Sequence, residues 1–311
     1  MNKTATHKEN FVKNEKKCYS ASIVKPHFSG NGVLYHLGKD VDVVLGVGKT
    51  SFSTIIGESV TDVFDKGLDK VEFEAIDLSE LSTEDIEEAM PYLKGVKYLA
   101  LTKCEGVDDL SFIEEMLDLR ALEILRNYKA ERLPDFSRHT NLKSLDLRAY
   151  RCISDFSGLA DSNIEDLVII DGAVAVNKTQ IPMFSDFEVF SEMPKLRRLK
   201  LYCHTECHSK NILTALARLT HLESIELICV FFTFEQFAWL SAKLPNAKGL
   251  EPIKKYEGYD DEPTTYEVIG RGTPKNLKTR RARDRYEAKY FELIEKYKTQ
   301  DTPPADNVKE R

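Results

Sequence analysis

Three stretches of the 311-residue chain hold residue types that could do chemistry. Val47-Gly48-Lys49-Thr50 carries the Gly-Lys-Thr of a phosphate loop, whose backbone amides and lysine cradle a nucleotide's phosphates. Such a loop needs glycine five residues before its Gly-Lys, and Val43 stands there. A β-branched residue does not allow the close backbone approach that glycine does. Ser51 to Ile56 also favours a strand over the helix a phosphate loop feeds, so a hairpin turn is the better reading. Cys203-His204-Thr205-Glu206-Cys207-His208 packs two thiols, two imidazoles and a carboxylate together. These are zinc-ligand types, but three residues between the cysteines is not knuckle spacing and no second ligand pair follows. A polar turn is the better reading, and no metal or other cofactor is assigned. Arg271 to Tyr290 holds eight Lys or Arg against Asp284 and Glu287, a net charge of +6 that could meet phosphates. Glu292 and Glu295 follow at once, which favours a solvated capping helix over nucleic-acid binding. No G-x-S-x-G or H-E-x-x-H motif occurs, so an enzyme reading has no residues to rest on.

The elements that position these residues are bounded by composition. Lys and Arg number 44 against 51 Asp and Glu, a net charge of −7, and 42% of residues are hydrophobic. That supports a sizeable core and excludes wholesale disorder. No stretch approaches the roughly 18 apolar residues of a membrane span. The N-terminal residues lack the apolar centre of a secretory signal. Six thinly spread cysteines then read as reduced thiols of a cytoplasmic protein.

One phrase recurs: apolar, two others, apolar, one other, apolar, two others, then Cys or Asn. It reads Val96, Leu99, Leu101, Cys104, and returns as Leu119, Leu122, Ile124, Asn127. Related phrases centre on Ile76, Leu145, Leu167, Leu199 and Ile225, so successive steps are 23, 23, 23, 22, 32 and 26 residues. Each phrase predicts a short strand with one buried face. A lone strand of that length is unstable, whereas seven stacked in parallel build a continuous core. The ninth-position Cys or Asn is expected to satisfy backbone amides where the chain leaves the strand. The return limbs carry a second apolar set, as at Leu110, Phe112 and Ile113, and they are expected to change from tight turns to helices along the chain. The 32-residue step holds an insertion near Val174–Met193, which could shape a binding face or be a tolerated loop.

The pattern resembles the leucine-rich repeat family, L-x-x-L-x-L-x-x-N/C, over roughly residues 71–247. The segment from Cys152 to Leu159 is similar to the return limbs of bacterial, internalin-like repeats. The resemblance implies an α/β solenoid, a horseshoe with a parallel concave β-sheet, used for protein binding. Around it the expected organisation is a disordered stretch 1–20 and a β-rich N-terminal cap 21–70. A C-terminal cap 248–298 with a charged helix and a disordered tail 299–311 complete it. Within the N-terminal cap, strands are expected over Gly32–Gly38, Val41–Val47 and Ser51–Ile56, and a helix over Val60–Leu68. In the C-terminal cap, Leu250-Glu251-Pro252 reads as a phrase broken by proline, and Tyr266–Gly270 as a last edge strand.

Strand alternation places the third, fifth and seventh residues of each phrase on the concave face. The candidate partner-binding residues are Asp77, Tyr98, Glu123, Leu125, Asp146, Arg148, Ile170, Arg198, Lys200, Tyr202, Glu226 and Ile228. Glu123 and Asp146 should be neighbours, a like-charge pair unless Arg148 or Arg126 relieves it. Reversing both charges is expected to spare stability. Exposed carboxylates beside Leu125, Ile170, Tyr202 and Ile228 imply a protein partner with basic or aromatic groups. The expected function is a monomeric, non-enzymatic recognition module, such as an immunity protein that neutralises a toxin. A host-directed effector, or an enzyme acting through its flanks, is the alternative.

Overall fold

The computed structural model describes residues 19–24, 44–48, 55–57, 60–65, 73–170, 187–203, 212–229, 232–256, 264–270 and 277–305. The N-terminal part supplies strands β1 (Tyr19–Val24), β2 (Val44–Gly48) and β3 (Ile55–Gly57) and helix α1 (Val60–Asp65). Strand β4 (Ala75–Ser79), helix α2 (Thr83–Ala89), and strands β5 (Tyr98–Thr102), β6 (Ala121–Leu125), β7 (Ser144–Arg148) and β8 (Asp166–Ile170) follow. Then come β9 (Arg198–Cys203), α3 (Ile212–Ala217), β10 (Ser224–Cys229) and α4 (Phe234–Lys243). The chain ends in β11 (Ile253–Tyr256), β12 (Thr265–Val268) and α5 (Arg280–Tyr297). This is an α/β fold. Among the described residues, ten strands form one open sheet in the order β10-β9-β8-β7-β6-β5-β4-β2-β1-β3. Strands β4 to β10 run parallel, and β2 joins them parallel to β4.

The strands form where the phrases predict. Each buries two alternating apolar residues: Ile76 and Leu78, Leu99 and Leu101, Leu122 and Ile124, and so on to Ile225 and Leu227. The register is in step, with Leu122 paired to Leu99 on one side and Leu145 on the other. A slip of one residue would turn Glu123, Asp146 and Lys200 into the core, which fixes that register.

The chain leaves β4 to β7 by one recurring device. Glu80, Lys103, Arg126 and Ala149 have φ of 59°, 55°, 61° and 53°, the left-handed region that costs a non-glycine residue. Each N–H continues the ladder to the next strand, as Lys103 does to the Leu125 carbonyl at 2.7 Å and Arg126 to the Arg148 carbonyl at 3.0 Å. The next position is buried. Asn127 accepts from the Lys129 and Ala130 amides at 3.3 and 3.0 Å, and donates to the Cys104 and Val107 carbonyls at 3.3 and 2.8 Å. Cys104 is buried at this position, and its thiol donates to the Leu78 carbonyl at 3.3 Å. At the same position Tyr150 fills space edge-on to Phe156, centroids 5.9 Å apart.

The return limbs are 3-10 turns at Ser111–Glu115, Ser157–Leu159 and Phe187–Glu192, and α-helices at α3 and α4. The first limb, α2, breaks the expected progression. Ser82 and Asp85 close a capping box there, with reciprocal side-chain bonds to the Asp85 and Ser82 amides. Adjacent limbs touch at Gly158, where a Cβ would lie 2.0 Å from the Pro134 carbonyl oxygen.

Both flanks depart in part from expectation. Strand β1 begins at Tyr19, inside the stretch expected to be disordered, and it pairs antiparallel with both β2 and β3. The expected strand Gly32–Gly38 lies outside the described residues. The parallel sheet ends at one bridge between Ser224 and Lys248. Gly249 turns the chain away at φ 101°, where a Cβ would meet the Ile225 carbonyl oxygen at 2.1 Å. Strands β11 and β12 form a separate antiparallel hairpin, so Tyr266 is not on an edge of the main sheet. Helix α5 packs on α4 through Phe234, Tyr286 and Tyr290, and the Tyr290 hydroxyl donates to the Leu250 carbonyl at 2.8 Å. Residues 299–305, expected to be disordered, lie against α4. The buried Trp239 indole requires an acceptor, and the Gln300 carbonyl supplies it at 2.9 Å.

Asn127→Ala should lower unfolding free energy by about 2–4 kcal/mol, because it strips partners from four backbone groups. Leu122→Ala should cost ~2–5 kcal/mol through a cavity in the strand stack. Urea titrations of both variants check this, and a change below about 1 kcal/mol in either would contradict the described burial.

Candidate recognition face

One face of the parallel strands is the core. Parallel sheets normally have both faces covered, so the state of the other face is informative. Near β4 and β5 it is closed: Ala75, Tyr98 and Ala100 are all buried. Tyr98, expected to meet a partner, therefore presents little surface. From β6 to β10 the face opens. Glu123, Leu125, Arg148, Ile170, Lys200, Tyr202 and Glu226 are half-buried and Arg198 is exposed. Ile228 takes the register position opposite Tyr202.

The charges on this face are paired across and along strands. Asp146 is buried, its side chain 2% exposed, and it holds Arg148 by two bonds of 2.6 Å. That contact, with Glu123 adding to it, raises the Arg148 pKa above its ordinary value. Glu123 and Asp146 are direct cross-strand neighbours, as the sequence predicts, and Arg148 relieves them. Asp146 therefore offers a partner little surface, contrary to expectation, and reversing its charge should cost stability, because it would place a buried cation beside Arg148. Arg198 grips Asp166 with its Nε and a terminal nitrogen and lies 3.7 Å from Glu223. Lys200 meets Glu226 at 3.1 Å. Asp146, Asp166 and Glu226 are therefore compensated, contrary to the expectation of bare carboxylates.

These groups line an open cavity of about 360 Å³, bounded by Asp146, Asp166, Arg198, Lys200, Glu226 and Lys254. Lys248 and Gly249 complete its far end. Sequence reading missed Lys248 and Lys254. The available signal was the broken phrase at Leu250-Glu251-Pro252: Lys248 stands beside Ser224, where an eighth strand's first outward residue would stand.

Asp77 belongs to the closed end. It sits in register between Gly46 and Ala100, and burial raises its pKa while a hydrogen bond with the Thr102 side chain opposes the rise. The other candidate motifs do not assemble a site. Val47 and Gly48 are paired residues of β2, not a loop, and Lys49 and Thr50 lie outside the described residues. Cys203 ends β9, paired in register with Cys229, and residues 204–208 lie outside the described residues. In the basic helix, the Arg283 guanidinium stacks 3.9 Å from the Tyr266 ring centroid, and Arg280 lies 3.9 Å from Asp284. Among the described residues, no group of His, Cys, Asp and Glu could hold a metal ion, and no helix is long and apolar enough to cross a membrane. No protein-family model matches the chain, and no curated protein matches it. Fold and site thus define an α/β protein with a parallel sheet, open on one face over β6 to β10.

Asp146→Ala should cost about 3 kcal/mol, since it removes the bidentate, buried partner of Arg148, whereas Asp166→Ala, at a more exposed pair, should cost less than about 1 kcal/mol. Equal losses in denaturant titrations would contradict the burial difference. Asp77→Asn should stabilise the protein at pH 7. An acid whose folded pKa is raised binds its proton more tightly when folded. Its contribution is present below the unfolded value of 3.8 and lost as pH rises through the raised folded value. The advantage of the variant over wild type should therefore shrink toward acid pH, and an advantage constant from pH 3.5 to 7 would refute it.

Proposed function

We propose that this protein is a non-enzymatic recognition module of the leucine-rich-repeat kind, binding another protein on the open face of β6 to β10. One observation carries the reading: over β6 to β10 the outward face of the parallel sheet is half-exposed among the described residues, and it holds charged side chains in cross-strand pairs. Arg198 with Asp166 and Lys200 with Glu226 are ordered before any partner arrives, so binding forfeits little side-chain entropy. Leu125, Ile170 and Tyr202 provide apolar area beside them, and tyrosine and arginine are the residues that carry most binding energy at interfaces. Successive strands at 22- and 23-residue spacing, each paired to the next in sequence, support the solenoid reading of the repeats.

The reading places a monomer in a reducing, cytoplasmic setting. Cys104 and Cys152 are unbridged, which agrees with it. A toxin-neutralising role is the narrower form of the proposal. It rests on the net charge of −7 and on fold analogy, and the ion-paired state of Asp146, Asp166 and Glu226 means that the open face itself adds no bare carboxylates to that argument.

The test is affinity purification with the wild type beside Arg198→Glu and Tyr202→Ala, followed by measurement of direct binding with the purified candidate. Wild type should retain a partner that each variant binds at least about tenfold more weakly, with melting temperature unchanged for Arg198→Glu. A partner indifferent to both substitutions would overturn the open face as the binding site.

A further inference from the structure

The cavity on the open face is not electrically uniform, and its far end says what it accepts. Toward β7 and β8 the cavity-lining carboxylates Asp146 and Asp166 are matched by Arg148 and Arg198. In its middle Lys200 is matched by Glu226. At its far end Lys248 and Lys254 line the cavity with no carboxylate within ion-pair distance among the described residues. Lys248 is exposed, and Lys254 is half-buried.

The fold places these two lysines on purpose-built backbone. Lys248 is held beside Ser224 by paired bonds, its amide donating to the Glu223 carbonyl at 3.0 Å and its carbonyl accepting from Ile225 at 2.8 Å. Gly249 then turns the chain at a position no other residue fits, and the hairpin that starts at Ile253 brings Lys254 to the cavity wall. Lys254 stands opposite Glu267 across the hairpin, beyond ion-pair distance, so neither ammonium is held in an ion pair among the described residues. Two unpaired ammonium groups at one end of a cavity offer an incoming carboxylate the charge complementarity that steers association and selects partners.

We propose that the β9–β10 end of the cavity, with Lys248 and Lys254, receives an acidic peptide segment of a protein partner, its Asp or Glu carboxylates seated between the two lysines. This rests on the recognition reading above. A nucleic acid fits the same cavity poorly, because Asp166 and Glu226 line it too and would repel a continuous phosphate backbone. A peptide brings one or two carboxylates to the lysine end and apolar side chains to Ile170 and Tyr202 alongside.

The experiment pans a displayed library of random dodecapeptides against the full chain and against Lys248→Gln/Lys254→Gln. Wild type should enrich peptides rich in Asp and Glu. The best of them, made synthetically, should bind the double variant roughly a hundredfold more weakly, about tenfold per lysine. The variant should melt with the wild type, since neither lysine is ion-paired, and Arg281→Gln/Arg285→Gln on the solvated helix should bind like wild type. Four results overturn the proposal. Enriched peptides without acidic residues, or acidic peptides that bind both proteins equally, would do so while leaving recognition on the open face standing. Enrichment of nothing would also do so, and the Arg198→Glu comparison then decides the recognition reading separately. Tighter binding of a 20-nucleotide RNA than of any peptide, lost in the double variant, would reassign the lysines to a polyanion.

Discussion

The in-register stacking of apolar pairs, Leu99–Leu101 on Leu122–Ile124 on Leu145–Leu147, is the constraint on which the rest of this structure depends. Parallel neighbours cannot be joined by a tight turn, so each strand commits the chain to a crossover limb. At 22 or 23 residues per step that limb is short. It is a 3-10 turn or irregular at most steps, and it must touch its neighbour closely enough that Gly158 admits no Cβ. Where the step lengthens to 26 residues, between Leu199 and Ile225, the limb winds as α3. The left-handed residues Glu80, Lys103, Arg126 and Ala149 follow from the same requirement. The chain must leave each strand at the same place, and the extra ladder bond to the next strand offsets the backbone cost.

Period-two alternation then fixes which residues point away from the core. If Leu145 and Leu147 point inward, Asp146 must point outward, beside Glu123 in the next strand. Two carboxylates at that spacing repel, and Arg148, two residues along the same face, is what makes the arrangement tolerable. Its bidentate grip on Asp146 excludes water, so a position that reads as surface in the sequence becomes buried. The exposed pair of Arg198 and Asp166 contributes little to stability and mainly fixes the guanidinium in place. The same kind of contact is therefore structural at one step of the sheet and organising at another, and burial is the quantity that separates the two.

This explains what the sequence made legible. Strand positions, inward residues and register follow from spacing alone, because a one-residue error would bury Glu123 or Lys200. The pairing of Glu123 with Asp146, and its relief by Arg148, follows from the same columns. Burial on the outward face does not. Tyr98 and Asp146 occupy outward columns and are buried all the same, because spacing assigns a face but not how closely neighbours pack over it. Helix α2 was signalled by Ser82 and Asp85 at capping-box spacing, a signal overlooked beside the stronger repeat. Tail residues 299–305 were illegible for a different reason. Their order depends on Trp239 needing an acceptor 61 residues away, and no local pattern reports that.

The end of the sheet is the place where fold and candidate site become one problem. An edge strand offers unpaired backbone groups to any passing chain, and it must be blunted. Here a single bridge at Lys248 satisfies part of β10, and Gly249 then diverts the chain before a full eighth strand can form. The diverted chain could have left the open face bare. Instead it returns as the β11–β12 hairpin, which is fastened by the stacking of Arg283 on Tyr266 and carries Lys254 to the cavity. Tyr290, in α5, anchors the same junction through the Leu250 carbonyl. The device that terminates the repeats thus also builds the one wall of the cavity whose charges are left without partners among the described residues. A terminator needs glycine and a satisfied edge, but it does not need lysines facing a cavity. That surplus is what turns the closure of the sheet into a reason to look there for a partner.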